Sequence, residues 1–517
     1  MCHLLGFGLL LWFAPITRAD SPPPVADVLG QVRQATGYAR FAALPRGFLL
    51  RGTTKYLGID GEFELLCNAQ GHFLRTTKHR MGEVLGFDGT QCWHIEQGQF
   101  SRILELEDRE VALASNWVMT GHWLAEKSPF DIAVLNERTN DKTVALSLKL
   151  KQGWLSGTIL IDRTTWLPLQ FERLSSIGKS VWRYEDYRGA LGLQIPHKVS
   201  FERANMVNTT TLREVLEAPT FLRNPFALLP VKPSDVTFDP AMPAEVKVER
   251  LRSGHLVIPA LVDGKDLGWF ILDSGAGGMV IDKLTAQQAG LEVFGEIPVV
   301  GIGGIVPGRF RQGKSFQVGP VTWQDPIYVE VDLSAVSMAL GRKIVGICGA
   351  PLFKRTVVEI EATEPRLTLH DPEKYKLEGG TWLPLTLKGN LPCVKARFEG
   401  DREALFRVDT GAGGTVTFHT PAVATWKLLD GRATQSSLSG GVGGMQQERA
   451  GLLDWFELAG HRFDKPRVTF SQAKTGAFAD EYLAGNIGAG FLTNFKLVFD
   501  YPHSRLALVK KAEAAGP

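Results

Sequence analysis

The sequence predicts a mainly β chain made of an antiparallel β-rich N-terminal domain, a proline-rich connector and two copies of one small β-barrel-like lobe. Three observations predict it. The stretch Phe270-Ile-Leu-Asp273-Ser274-Gly275-Ala-Gly-Gly278 returns as Phe406-Arg-Val-Asp409-Thr410-Gly411-Ala-Gly-Gly414, 136 residues later, and further blocks repeat in the same order. Upstream, short apolar runs bounded by turn residues read as strands. Between the two regions, Pro219, Pro225, Pro230, Pro233, Pro240 and Pro243 exclude a regular helix or a central strand and favour an extended connector.

Taken in chain order, residues 1–19 read as a secretory signal: Leu4 to Ala14 is apolar and Thr17-Arg-Ala19 is a small-residue cleavage site. The run is too short for a permanent transmembrane helix, and only His3 precedes it where a charged segment is usual. An uncleaved anchor and a mis-assigned start are the alternatives. Export, to a periplasm or beyond, is the expectation, with no stable membrane span elsewhere. Residues 20–218 form the β-rich domain. Val25, Val28, Leu29, Val32 and Ala35 share one face of a short helix that Gly37 closes. Strand-like runs follow at Phe63 to Leu66, Phe73 to Arg75, Gly86 to Trp93, Val144 to Leu150 and Gly157 to Asp162, an antiparallel sheet with little helix. The Phe87-Asp-Gly…Trp93 and Ile161-Asp-Arg-Thr-Thr-Trp-Leu-Pro168-Leu-Gln-Phe171 elements resemble the lipoprotein-carrier (LolA-like) fold, which implies a curved sheet sheltering an apolar ligand. A domain that only docks or positions the rest is the other reading.

The connector spans residues 219–245. The first lobe, residues 246–372, carries Asp273-Ser274-Gly275, a helix from Lys283 that Gly290 closes, Gly301-Ile302-Gly303-Gly304, Gly346-Ile-Cys-Gly349-Ala-Pro-Leu-Phe353 and Arg366-Leu-Thr-Leu369. The second, residues 381–511, answers with Asp409-Thr410-Gly411, Gly441-Val442-Gly443-Gly444, Gly485-Asn-Ile-Gly488-Ala-Gly-Phe-Leu492 and Arg505-Leu-Ala-Leu508. The later offsets are 139 or 140, so the few extra residues of the second copy lie between its first two blocks. One Asp-[Ser/Thr]-Gly triplet is ordinary turn chemistry; two in matched surroundings are a pair.

Over about residues 246–511 these motifs resemble the aspartic peptidases of the retropepsin-like group, more particularly bacterial envelope proteins with two such halves in one chain. The resemblance implies two retropepsin-like β-barrel lobes forming a pseudo-twofold, bilobal acid protease with Asp273 and Asp409 as its catalytic pair. It implies that Ser274 and Thr410 hydrogen-bond across the pseudo-twofold and that Gly275 and Gly411 allow close backbone approach. Gly301, Ile302, Gly303 and Gly304, with Gly441, Val442, Gly443 and Gly444, fall where the family has its flaps. The implied partner is a peptide or protein substrate and the implied assembly a monomer, because a linker of some ten residues favours intramolecular pairing of the halves.

The chemistry follows from the residue types. Two adjoining carboxylates share one proton, an effect for which aspartic proteases are the standard example. The ionised member serves as general base on water and the protonated member as general acid. The alternative is a catalytically inactive peptide-binding or lipid-handling envelope protein, in which an intact pair would be idle. Arg407, two residues before Asp409, is either solvent-facing or a specificity contact.

Composition restricts other readings. With 517 residues, 44% apolar, and a net charge of +2, the chain is globular with no electrostatic preference for nucleic acid. Eleven His and five Cys show no metal-ligand spacing, so no metal or cofactor is expected. If Cys2 leaves with the signal, four cysteines remain. Cys67 and Cys92 share one region and are candidates for a disulfide, three connectivities being open, and Cys348 reads as a small core residue. Gly308-Arg-Phe-Arg-Gln-Gly313-Lys314-Ser315 fits a nucleotide-binding pattern, but that motif needs a following helix, and Phe316-Gln-Val318-Gly319-Pro320 reads as strand and turn. It belongs to the descending limb of the first flap and the strand after it.

Overall fold

The computed structural model describes residues 23–302, 304–361 and 364–510. The signal segment and Gly303 of the first flap therefore lie outside the described residues. The chain is mainly β, with long strands and few helices.

The N-terminal region is one antiparallel sheet of thirteen strands. Neighbours in sequence pair as hairpins, and the ladder is joined where Phe48–Tyr56 pairs with Met206–Glu217. Turn residues set the hairpins: Asp88 Oδ1 accepts from Thr90 N (2.8 Å) and Gln91 N (2.7 Å), and Asp162 Oδ1 does the same from Thr164 and Thr165. The expected helix is present as α1, Val25–Thr36, with Gly37 in the left-handed region at its end (φ 73°). The expectation of little helix needs correction, since α2, Leu106–Thr120, is a further fifteen-residue helix. Leu113, Trp117 and Val118 bury into the sheet's core, but Glu110 and Asn116 are buried beside them. Those polar groups interrupt the apolar stripe that would have revealed it.

Cys67, Cys92, Cys348 and Cys393 are buried free thiols, so the candidate Cys67–Cys92 disulfide is not formed. Cys348 packs in the core, as read from sequence. The proline-rich segment is mostly irregular, except that Val236–Phe238 adds an edge strand against Val321–Gln324, a position that neighbouring prolines tolerate.

Residues 256–348 supply β1 (Leu256–Val262), β2 (Lys265–Leu272), β3 (Met279–Asp282), β4 (Glu292–Gly301), β5 (Gly304–Gln312) and β6 (Ile344–Cys348), with α3 (Lys283–Gln288) after β3. Asp282 caps α3 by accepting from Thr285 N at 3.1 Å. Residues 391–488 supply β7 (Leu391–Phe398), β8 (Arg402–Asp409), β9 (Val416–Phe418), β10 (Thr434–Gly441), β11 (Gly444–Leu452) and β12 (Gly485–Gly488). The first sheet runs β4, β5, Ile327–Val331, β3, β6, β2, β1. The second runs β10, β11, Arg467–Ser471, β9, β12, β8, β7, the same order. Both sheets are open paths with two ends, where barrel-like lobes were expected. A six-stranded sheet joins the two, with Val357–Glu361 antiparallel to Phe495–Asp500.

The stretch with the nucleotide-binding pattern lies in β5 and the strand Ser315–Val318, so no helix N-terminus faces it. Apolar side chains of both sheets share one core, in which Phe270 and Phe406, on the strands leading to the two Asp loops, are fully buried.

Candidate active site

Each Asp-[Ser/Thr]-Gly loop is held by the same local construction. β2 lies parallel to β6, with Leu272 opposite Cys348, and Asp273 N donates to Cys348 O at 3.0 Å. β8 lies parallel to β12, with Val408 opposite Ile487. After β6 and β12 the chain passes so close beneath the loops that a Cβ on Gly349 would strike the carbonyls of Ala276 and Gly278. One on Gly488 would strike those of Ala412 and Gly414, so glycine is required at both positions.

The loops then grip each other. Ser274 N donates to Thr410 Oγ1 (3.0 Å) and Thr410 N to Ser274 Oγ (3.1 Å). Ser274 Oγ donates to Val408 O (2.8 Å) and Thr410 Oγ1 to Leu272 O (2.9 Å). Both side chains are buried, so each hydroxyl satisfies backbone groups that water does not reach. This arrangement turns the two aspartates toward one another. Gly275 N donates to Asp273 Oδ1 (2.7 Å) and Gly411 N to Asp409 Oδ1 (3.0 Å). A Cβ on Gly275 would fall into the Asp409 carboxyl, and one on Gly411 into the Asp273 carboxyl.

Burial pushes the Asp273 carboxyl well above the usual carboxylate range, and the charge of Asp409 adds to it. The Gly275 N–H and the Arg407 guanidinium act in the opposite direction.

The glycine-rich stretches form the tips of the β4–β5 and β10–β11 hairpins, closed by Gly301 opposite Gly304 and Gly441 opposite Gly444. Gly304, Gly443 and Gly444 take φ of 137°, 89° and 117°, which side-chain-bearing residues rarely adopt. The tips meet: Gly301 packs on the Val442 carbonyl so closely that no Cβ would fit, and Gly441 faces the Ile302 side chain. Leu438 and Met445 are exposed on the second hairpin and Ile305 on the first.

Three further residues stand at the pair. His255 Nε2 donates to Gly411 O and its Nδ1 meets Ser253 Oγ, both at 2.8 Å, and burial lowers its proton affinity. Asn486 Nδ2 donates to Asp409 Oδ2 at 3.0 Å. Arg407 is not solvent-facing, the first of the two readings given for it on sequence grounds: it is 7% exposed and stands opposite Asn486 in the β8–β12 ladder. The signal for the last two is the comparison of the repeated blocks, where Asn486 answers to Ile347 and Arg407 to Ile271. No pattern marks His255.

Residues 258–352 match the family model described as aspartyl protease. That stretch is aspartyl protease-like. It holds Asp273, the first hairpin and the Gly346 to Leu352 block, and ends before Asp409. No curated protein matches the chain. Among solved structures, a LolA superfamily protein from Nitrosomonas europaea aligns at TM-score 0.28 and 13% identity, covering 38% of this chain and 94% of its own. Basic 7S globulin from soybean aligns at TM-score 0.34 and 11% identity, covering 53% of this chain and 96% of its own. Both scores lie below what a shared fold requires.

Proposed function

We propose that the chain is an exported aspartic endopeptidase in which Asp273 and Asp409 form one site across a pseudo-twofold axis between two retropepsin-like halves. The observation that carries this is the reciprocal Ser274–Thr410 hydrogen bonding, which sets each carboxyl so close against the glycine of the opposite loop that no Cβ would fit there. The common strand order of the two sheets and the aspartyl protease match at 258–352 support it.

In this reading one carboxylate takes a proton from water as the water oxygen attacks the peptide carbonyl carbon, while the other carboxyl gives its proton to the carbonyl oxygen. Collapse of the resulting diol breaks the C–N bond. The amine nitrogen takes the proton first removed from water, and a diol hydroxyl returns one to the second carboxylate. Atoms and charge balance with no group beyond water and the pair. The two hairpins act as flaps over an extended peptide, with Ile305, Leu438 and Met445 as apolar contacts and their glycines absorbing the backbone change on opening.

Residues 20–218, 219–245, 246–372 and 381–511 are the domain division that goes with it. A second reading, binding without turnover, draws on a cavity of about 540 Å³ between the N-terminal sheet, α2 and Lys388, lined by neither aspartate.

The test is cleavage of an unfolded-protein and peptide mixture by the chain from Asp20, from about pH 3 to 8, beside Asp273→Asn and Asp409→Asn. Loss of cleavage in both variants is the expected result. A folded wild-type chain that cleaves nothing at any pH transfers the weight to the binding reading.

A further inference from the structure

The two halves differ at the point where they hold their aspartates. Asp273 accepts the Gly275 N–H, and apart from Asp409 no other donor to it is found among the described residues. Asp409 accepts the Gly411 N–H on Oδ1 and the Asn486 amide on Oδ2. Where the second half has Asn486, 2% exposed, the first has Ile347 in an apolar cluster with Val257, Ile271 and Ile344.

Asn486 is an expensive residue to keep there. Its Oδ1 is buried without a hydrogen-bond partner, as is Nε of Arg407 opposite it, and orphaned buried polar groups destabilise a fold. An isoleucine would pack the same ladder position without that cost, as it does in the first half. The contact that the amide does make is to one oxygen of one aspartate. A residue that breaks a local rule while touching the reacting group points to function.

We propose that Asn486 is a positioning residue that makes Asp409 the charged member of the pair and leaves the shared proton on Asp273. This rests on the two-carboxylate reading above. A donor amide favours the ionised form of the oxygen it meets, and Asp273, with one fewer donor, is the cheaper place for the proton. Asp409 is then the general base that takes the proton of the attacking water, and Asp273 the acid that protonates the carbonyl oxygen. The other titratable or charged groups facing the pair come from several elements: His255 through Gly411 O, Arg407 from β8, Cys348 from β6 and Tyr501 from the turn between the strands Phe495–Asp500 and Arg505–Lys510. None of these donates a hydrogen bond to either carboxyl.

The test is Asn486→Ile, which installs the residue of the first half. Two readouts are taken: the pH profile of kcat/KM, and the titration of the two carboxyls by NMR of ¹³C-labelled aspartate, assigned with Asp273→Asn and Asp409→Asn. Loss of the donor is expected to move the acid limb, which reports ionisation of Asp409, to higher pH by about one unit, a roughly tenfold loss on the acid side, with the NMR titration of the pair moving the same way. An even loss across all pH with unmoved limbs, or an unmoved carboxyl titration, overturns the inference while leaving the protease reading in place. A wild-type chain that never cleaves, but whose pair titrates higher in Asn486→Ile, upholds the inference about the proton and removes the protease reading.

Discussion

Asp273 carries a carboxyl whose proton affinity is raised first by burial and then by the neighbouring Asp409 charge. Asp409→Asn removes the second cause and keeps the first. The Asp273 carboxyl is therefore expected to titrate lower in that variant than in the wild type, still above an exposed aspartate, as read by ¹³C NMR; an unchanged titration means that the two carboxyls do not interact. His255 supports the second loop from the first half through Gly411 O. His255→Leu is expected to lower kcat about tenfold with little change in thermal stability, measured by initial rates beside a melting curve. The aspartates were legible in sequence because a turn triplet with matched flanks occurs twice. His255, Asn486 and Arg407 were not, since their importance lies in which backbone or carboxyl oxygen they meet after folding. For Asn486 and Arg407 a trace existed, a polar residue where the other copy has isoleucine, and buried polar groups are rare enough for such a mismatch to matter.

Among the elements, the Asp loops are joined by hydroxyls that cannot be replaced by methyls. Thr410→Val keeps the volume but orphans the Ser274 N–H and the Leu272 carbonyl, both now paired with Thr410 Oγ1. The expected loss is about 2–4 kcal/mol of unfolding free energy, read by denaturant titration, with Thr410→Ser close to wild type. The flaps respond differently. Gly444 sits at φ 117° with open space around the position of a Cβ, so Gly444→Val strains only the backbone, by about 1–3 kcal/mol. Amide exchange over residues 438–448 is expected to quicken and kcat/KM to fall, with the melting temperature nearly constant; a matching fall in melting temperature would mean that the hairpin is part of the core. Strand periodicity and turn chemistry made most of these elements readable, down to the asparagine-poor, glycine-rich tips. The helix Leu106–Thr120 escaped because Glu110 is spent on partners distant in sequence: its carboxylate accepts from Leu155 N (2.7 Å) and Tyr482 Oη (2.8 Å). A residue recruited by tertiary contacts corrupts the local periodic signal that would announce its own helix.

At the scale of the whole molecule, the N-terminal sheet is bound to the remainder by charge. Lys388 Nζ pairs with Glu107 and Asp480, each at 2.8 Å, and Arg173 meets Glu107 at 2.7 Å. Lys354 pairs with Glu96, and Glu96 also meets His94, whose Nε2 lies 2.8 Å from Glu83. The sheet reaches the first flap as well, where Leu57 O accepts from Glu296 N at 2.8 Å and Arg80 pairs with Glu292 at 2.7 Å. Sequence shows none of this, because each partner is an ordinary charged residue until the fold removes water from around it. The arrangement makes a prediction about pH. Burial alone would lower His94, but its hydrogen bonds to Glu83 and Glu96 prevail and push it up to about 9 from 6.5. Burial would raise Glu83, but the His94 hydrogen bond and the Arg75 charge hold it down at about 2 from 4.5. A raised histidine stabilises fully below its unfolded value and loses that contribution as pH rises through the folded one; a depressed glutamate stabilises above its unfolded value and loses it as pH falls through the folded one. The pair therefore contributes most between about pH 4.5 and 6.5, with erosion toward 9 on one side and toward 2 on the other. His94→Gln, which cannot charge, is expected to flatten the alkaline fall in melting temperature between pH 6.5 and 9 while leaving the acid limb in place through the other carboxylates, Glu96 among them. Melting curves at half-unit steps check it, and an alkaline slope equal to that of the wild type would show that the His94 cluster does not carry the attachment of the N-terminal sheet.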